Sequence, residues 1–357
     1  MLKKLKLFLS NGLKPIVYRQ EMKKSHQPLN ILIAEKFADE AYLKLKTTPS
    51  FNVHRLEKNE AIETYLNNCD ALIIRSKTKI NEGFLSQTQN LKLIITCTSG
   101  YDHIDFTATQ KRNITVMYTP EANAQSAAEL TWGLVLDVSR KISLSDFYLR
   151  RSNNPAYGWK RHLFSGRELS GLTYGVIGLG RIGQKVAKFA QAFGMNVIVF
   201  DPYQDDSIFS ELNLQRSSYE EVLKQSQIMS FHVPLTAETK NMLNRSHFEY
   251  TNPDLVVINT SRGPVINEED LIMALENKLI AGAALDVYQK EPLTSESKLL
   301  KLDNVVLTQH MGAMTEQAFE KASHEAVRLC LQFFNFNKTE NTLPLVNNWG
   351  SLTFNDA

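Results

Sequence analysis

The feature that most restricts what this chain can become is the stretch YGVIGLGRIG at Tyr174–Gly183, read with its flanks. An apolar run, LTYGVI, leads into Gly178, Gly180 and Gly183. RIGQKVAKFAQAFG follows, with apolar positions at Ile182, Val186, Phe189 and Ala190 and a stop at Gly194. A second apolar run, NVIVF, ends at Asp201, 18 residues after Gly183. Strand, glycine turn, helix, strand and acid in that order form a unit that closes only as two parallel strands joined by a crossover helix. Gly178 permits the turn, Gly180 lets the backbone approach a diphosphate, and Gly183 lets the helix pack closely on the sheet. The helix start at Arg181 and Ile182 offers N–H donors and the positive dipole end to an anion. Asp201, followed by Pro202, stands where it accepts hydrogen bonds from ribose hydroxyls. A carboxylate there repels a 2′-phosphate, so the pattern favours NAD over NADP.

The rest of the chain extends the same alternation. NILIAE (30–35), FNVHRL (51–56), ALIIRS (71–76), KLIITCTS (92–99) and ITVMY (114–118) read as strands, with amphipathic segments near 38–47, 59–67, 82–88 and 105–112. One long helix is expected after Pro120, with Ala127, Leu130, Leu134 and Val138 on its apolar face. Residues 151–171 read as an extended arm. A second series follows: NVIVFD (196–201), IMSFHVP (228–234), LVVINTS (255–261), AGAALDV (281–287) and VVLTQH (305–310), then a helix near 315–335 and a polar tail. The fold class is α/β, with two doubly wound parallel sheets.

Length and composition agree with this. At roughly 100–200 residues per domain, 357 residues imply two. Cys69, Cys97 and Cys330 lie far apart in sequence, with no disulfide framework and no metal-type spacing, which fits a reducing cytoplasm. No apolar run approaches the ~20 residues that span a bilayer, so no membrane role is expected. Residues 1–28 carry seven Lys/Arg and one Glu and read as a basic extension. The remainder holds 33 basic and 37 acidic residues, a net of −4, which argues against nucleic acid as a partner.

Three strand ends carry groups suited to chemistry: Arg262 in NTSRG, Glu291 in DVYQKEP and His310 in HMGAMT. Ligands of open parallel sheets bind outside the carboxyl ends of the strands, where all three fall. Taken singly, each has a bland reading: a surface ion pair, a turn cap, a buried polar group. Taken in order, RSKTKI, SGYDHID, PEANAQSAAEL, GVIGLGRIG, FHVPLTAET, NTSRG, DVYQKEP and HMGAMT resemble the D-isomer-specific 2-hydroxyacid dehydrogenases from about Asn30 to Val346.

The resemblance implies a flavodoxin-like substrate domain (1–122 and 316–357) into which a Rossmann NAD-binding domain (123–315) is inserted, with the active site between them. It implies Arg262, Glu291 and His310 as the catalytic set. It implies NAD as the cofactor, with contacts from Thr260, Ser261, Arg262, Asp286, His310 and Gly312, and with His232, Val233 and Pro234 packing on the adenine side. It implies substrate contacts from Arg75, Ser76, Ser99, Gly100, Arg262 and His310, no metal, and a homodimer formed through the helix from Ala124 and the arm through Trp159.

The residue chemistry is compatible. Reducing a 2-keto acid takes a hydride to C2 and a proton to the carbonyl oxygen. Histidine carries protons near neutral pH, and a carboxylate beside it favours the imidazolium. Arg262 matches a substrate carboxylate with its fork of donors. Within the family, RELSGLTYGVIGLGRIGQKVAKFAQAFGMNVIVFDPY looks most like the phosphoglycerate dehydrogenase branch, and Arg75, Lys77 and Lys79 give the cleft a basic edge. No C-terminal regulatory domain is expected after the last helix. Glyoxylate or hydroxypyruvate reduction and an NADH-sensing, corepressor-like binding protein are the alternatives. Gln309 stands before the histidine where many relatives carry proline.

Overall fold

The computed structural model describes residues 27–151 and 159–343. The basic extension falls almost wholly outside them, as do residues 152–158 of the arm and the chain from 344 onward. The first half is a parallel sheet of β1 (Leu29–Ile33), β2 (Phe51–Arg55), β3 (Ala71–Ile74), β4 (Leu93–Thr96) and β5 (Thr115–Tyr118), in spatial order 2-1-3-4-5. Between the strands run α1 (Asp39–Lys46), α2 (Glu63–Leu66), α3 (Glu82–Leu85) and α4 (Phe106–Lys111). The strands ALII and LIIT are buried at every position, because helices cover both sheet faces. Polar side chains start the helices: Asn81 accepts from Phe84 N–H and Asp105 from Ala108 N–H.

The expected single helix after Pro120 is two, α5 (Ala124–Arg140) and α6 (Ile142–Arg151). Lys141 takes a left-handed conformation between them (φ 54°), and Asp137 caps the second by accepting from Ser143 N–H at 2.7 Å. The second sheet then assembles from β6 (Thr173–Ile177), α7 (Arg181–Ala192), β7 (Asn196–Phe200), α8 (Asp206–Glu211), β8 (Gln215–Arg216), α9 (Tyr219–Gln225), β9 (Ile228–Phe231), α10 (Arg245–Phe248), β10 (Val256–Asn259), α11 (Glu268–Glu276), β11 (Gly282–Leu285) and β12 (Val305–Leu307). Its order, 12-11-10-9-6-7-8, reverses direction between β6 and β9, as a doubly wound nucleotide-binding sheet does. The two-residue β8 has too little apolar pattern to stand out in the sequence.

The chain then returns. α12 (Glu316–Phe336) buries Ala322, Ala326, Val327, Leu329 and Cys330 against Ile31, Ile33, Ile73, Ile95 and Met117 of the first sheet. The polar tail contributes β13 (Thr342–Leu343), which pairs antiparallel with β5 through Thr342↔Met117 and Leu343↔Val116. The first sheet is therefore mixed at that edge. Two segments cross between the sheets, one before α5 and one before α12, and the first turn of α5 is tied to the second by Ser126 Oγ···Thr315 Oγ1 at 2.7 Å. Among the described residues no helix is long and apolar enough to cross a membrane.

Candidate active site

Glycines shape the nucleotide end, each for a distinct reason. Gly178 sits at φ +93°, and a Cβ there would lie 2.8 Å from the His232 carbonyl oxygen. A Cβ on Gly183 would fall 2.0 Å from the Gly178 carbonyl oxygen, so helix α7 rests directly on the turn. Gly180 faces open space, with nothing within 4 Å of its would-be Cβ, and it starts α7 without a side-chain cap. Crowding at two glycines and vacancy at the middle one is what a diphosphate seated on an uncapped helix end requires.

Asp201 follows directly on β7. Its carboxylate turns inward, 5% exposed, and accepts from Leu179 N–H (2.7 Å), Tyr203 N–H (2.9 Å) and Gln204 N–H (3.1 Å). It thereby braces the glycine turn. Turn N–H groups beside a buried strand end need acceptors, and the carboxylate supplies them. Arg181, at the first turn of α7, reaches back to Glu121 of the first crossing segment. Pro202 is exposed beside this turn, and Ile182 lies at the start of α7. His232 bonds Ser230 Oγ at 2.8 Å, and burial pushes its imidazole down to about 3. It is a packed neutral group beside buried Val233 and half-buried Pro234.

At the other end of the cleft the loops after β10, β11 and β12 converge. His310 Nδ1 and Glu291 Oε2 are 2.7 Å apart, and Glu291 Oε1 accepts from Tyr288 N–H at 3.2 Å. Partial burial pushes the Glu291 carboxyl up. The bond and charge of His310, the Tyr288 N–H and the Arg262 guanidinium outweigh it and hold Glu291 below the usual carboxylate range. With Nδ1 occupied, Nε2 is the ring nitrogen left for another partner. His310 holds a left-handed backbone (φ 52°), sustained by Asp286, which is buried. Asp286 accepts from Thr308 Oγ1 (2.6 Å), Met311 N–H (2.8 Å) and Gly312 N–H (2.9 Å). Asp286 thus reads first as the brace of the histidine loop.

Arg262 is brought to this pair by Gly263. A Cβ on Gly263 would lie 1.9 Å from the Tyr288 carbonyl oxygen, so the two loops touch backbone to backbone. Thr260 Oγ1 bonds Thr131 Oγ1 of α5 at 2.7 Å, and Ser261 Oγ bonds Asn259 Oδ1 at 2.8 Å. Both hydroxyls therefore already have partners inside the chain.

The opposing wall comes from the first sheet. The loop after β4 lays Gly100 flat against Arg262, whose Nη2 stands 1.3 Å from where a Cβ would be. Ser99 Oγ bonds Asn123 Oδ1 and the Pro120 carbonyl, tying the loop to the crossing segment. Asp102 accepts from Arg262 Nε at 2.5 Å. His103 packs inside, bonding Thr96 Oγ1 at 3.1 Å. At the switch point between β1 and β3, Glu35 accepts from Arg75 N–H (3.0 Å), Lys77 N–H (3.4 Å) and Thr78 N–H (3.0 Å), and so shapes the RSKT turn. Ser76 is exposed on that turn. Arg75 lines a small cavity with Thr98, Thr119, Asn123 and Ala313; Arg75 Nη1 and Thr119 Oγ1 are both buried there without a hydrogen-bond partner in the protein.

The structure thus pairs Glu291 with His310, sets Arg262 near Glu291 and lays the Gly100 loop against Arg262, while Arg75 lies in the adjoining cavity beside Thr98. Sequence reasoning missed Glu35, Asp102 as a partner of Arg262, and Glu121. Each is a charge at a strand or loop end, and no spacing in the sequence names its partner.

Comparison with known proteins is consistent with this geometry. Residues 132–312 match the family profile of the D-isomer specific 2-hydroxyacid dehydrogenase, NAD binding domain. A D-3-phosphoglycerate dehydrogenase of Methanocaldococcus jannaschii is 36% identical over 296 residues, 82% of this chain and 55% of that protein. The chain belongs to this family. A hydroxypyruvate reductase of Thermotoga maritima is 37% identical over 274 residues, covering 76% of this chain and 87% of the relative. The crystal structure of a D-lactate dehydrogenase from Aquifex aeolicus with NAD and lactic acid superposes with a TM-score of 0.72 at 28% identity, over 86% of this chain and 96% of that one. The chain spans about half the length of the D-3-phosphoglycerate dehydrogenases it matches first. The two α/β domains and the NAD-binding character of the second are those of the 2-hydroxyacid dehydrogenases.

Proposed function

We propose that this chain is an NAD-dependent D-2-hydroxyacid dehydrogenase in which Arg262, Glu291 and His310 are the catalytic groups. The observation that carries the proposal is the Glu291–His310 contact at 2.7 Å, with the Arg262 guanidinium near enough to act on the Glu291 carboxyl. NAD fits the second domain on the glycine pattern: α7's first N–H groups and Gly180 hold the diphosphate, and the cofactor supplies the hydride acceptor or donor. The protein's own residues do the rest. Arg262, with Ser99 and Gly100 N–H groups, holds the substrate carboxylate and sets C2 in place. His310 gives its proton to the carbonyl oxygen in reduction and takes it back in oxidation. Glu291 stabilises the protonated imidazole between those events.

The substrate is a phosphoglycerate-like acid, with glyoxylate and hydroxypyruvate as the near alternatives. Arg75 supports the anionic choice, because its buried Nη1 lacks an acceptor that a second acidic group provides. We set the domain limits at 1–122 with 316–357 and at 123–315, a division that the two separate sheets support. The site is cytoplasmic. A homodimer forms over α6, which buries none of its residues and exposes Ile142, Phe147 and Leu149, continued by Trp159 and Leu163.

The test is NADH oxidation with phosphohydroxypyruvate, hydroxypyruvate and glyoxylate. Turnover on at least one acid is expected. It falls by about 10²–10⁴ in His310→Gln while NADH affinity is retained. NADH binding without turnover on any acid favours the binding-protein reading.

A further inference from the structure

Arg262 is held more tightly than substrate binding alone demands. Its Nε donates to Asp102 Oδ2 at 2.5 Å, its Nη1 donates to the Ser261 carbonyl at 2.6 Å, and its Nη2 lies against Gly100. Arg262 comes from the loop after β10 in the second domain; Asp102 comes from the loop after β4 in the first. The two therefore meet across the cleft.

We propose that Asp102 is a positioning residue for Arg262: it clamps the Nε edge of the guanidinium from the opposite domain and so aims the Nη N–H donors not used by the Ser261 carbonyl at the substrate carboxylate. The inference rests on the functional reading above. An arginine side chain carries about 2 kcal/mol of rotamer entropy, and anchoring one edge of its rigid plane fixes where the other donors point. Gly100 belongs to the same device. Only a residue without Cβ lets the guanidinium lie on the loop whose N–H groups face the same carboxylate. Because the clamp joins the two domains, Arg262 reaches its working orientation only when the cleft has this width.

Asp102 and Arg262 are 43% and 27% exposed at their side chains, so the pair adds little to fold stability. That separates a positioning role from a structural one. A rival is conceivable on the same contact: Asp102 acts as a built-in competitor that a substrate carboxylate must displace. The two readings predict opposite signs on removal of Asp102.

The experiment uses the full chain, with oxamate as a carboxylate probe of the NADH complex, read by quenching of NADH fluorescence, alongside KM and kcat for the best 2-keto acid. Asp102→Ala is expected to weaken oxamate and raise KM by about tenfold or more, with kcat reduced less, NADH affinity within twofold and Tm within about 2 °C. Asp102→Glu restores part of the loss. In an Arg262→Ala background, Asp102→Ala does nothing further. The Arg262 Nε–H resonance, protected in the wild type, exchanges fast in Asp102→Ala, a readout that needs no turnover. Tighter oxamate binding in Asp102→Ala overturns the proposal in favour of competition. An equal loss in the Arg262→Ala background, or an unchanged Nε–H signal, overturns it as well. A wild-type complex that neither binds oxamate nor turns over any 2-keto acid removes the functional reading, and the clamp with it.

Discussion

Gly183→Ala tests the mechanical basis of the nucleotide site. The new Cβ would stand 2.0 Å from the Gly178 carbonyl oxygen. An ordinary contact needs about 3.4 Å, so helix and turn must separate by roughly 1.4 Å. Overpacking of that kind costs about 1–3 kcal/mol, or a Tm loss on the order of 3–10 °C. The displacement also lifts the first N–H groups of α7 away from the turn that Asp201 builds through Leu179. NADH affinity, measured by fluorescence titration, should fall at least about tenfold, the equivalent of 1.4 kcal/mol. Gly180→Ala is the control. Its Cβ meets nothing within 4 Å and its φ of −72° suits any residue, so Tm should hold within about 1 °C. Affinity should still drop, because the methyl group occupies the diphosphate's approach. Wild-type Tm and affinity in Gly183→Ala would refute the close-packing argument. Full affinity in Gly180→Ala would refute the placement of the diphosphate.

Two further outcomes are expected. His232, pushed by burial from 6.5 to about 3, binds a proton more readily when unfolded. Its contribution to stability is fully present above about pH 6.5 and is lost as pH falls toward 3, with a slope of up to about 1.4 kcal/mol per pH unit. Urea midpoints between pH 4 and 8 should show that slope flattened in His232→Asn. At the surface, Phe147→Asp on α6 should convert a dimer to a single 40.6 kDa chain in light scattering, with Tm lowered in step. An unchanged mass would place the contact between copies elsewhere.

Much of the fold was legible in the sequence because buried parallel strands must be apolar throughout and bounded by turns. ALII, LIIT, GVI and VVIN announce themselves this way, and each lies within a strand. The break at Lys141 was not legible, since lysine carries no signal for a left-handed backbone; what allows it is the Asp137 side chain folding onto Ser143. Nor was β13 legible, because a two-residue strand has no period and depends on β5 being already in place.

The site divides the same way. The candidate trio Arg262, Glu291 and His310 was named by the ordered motifs that resemble the family, and the three glycines and the acid after NVIVF by strand–turn–helix geometry that acts over a few positions. Partnership is fixed by neither. That Asp201 turns inward to Leu179, that Asp286 braces the histidine loop, and that Asp102 reaches Arg262 from 160 residues away were decided by packing. A charged group at a strand end binds whichever donor the assembled sheets place within about 3 Å, and only the tertiary fold sets those distances.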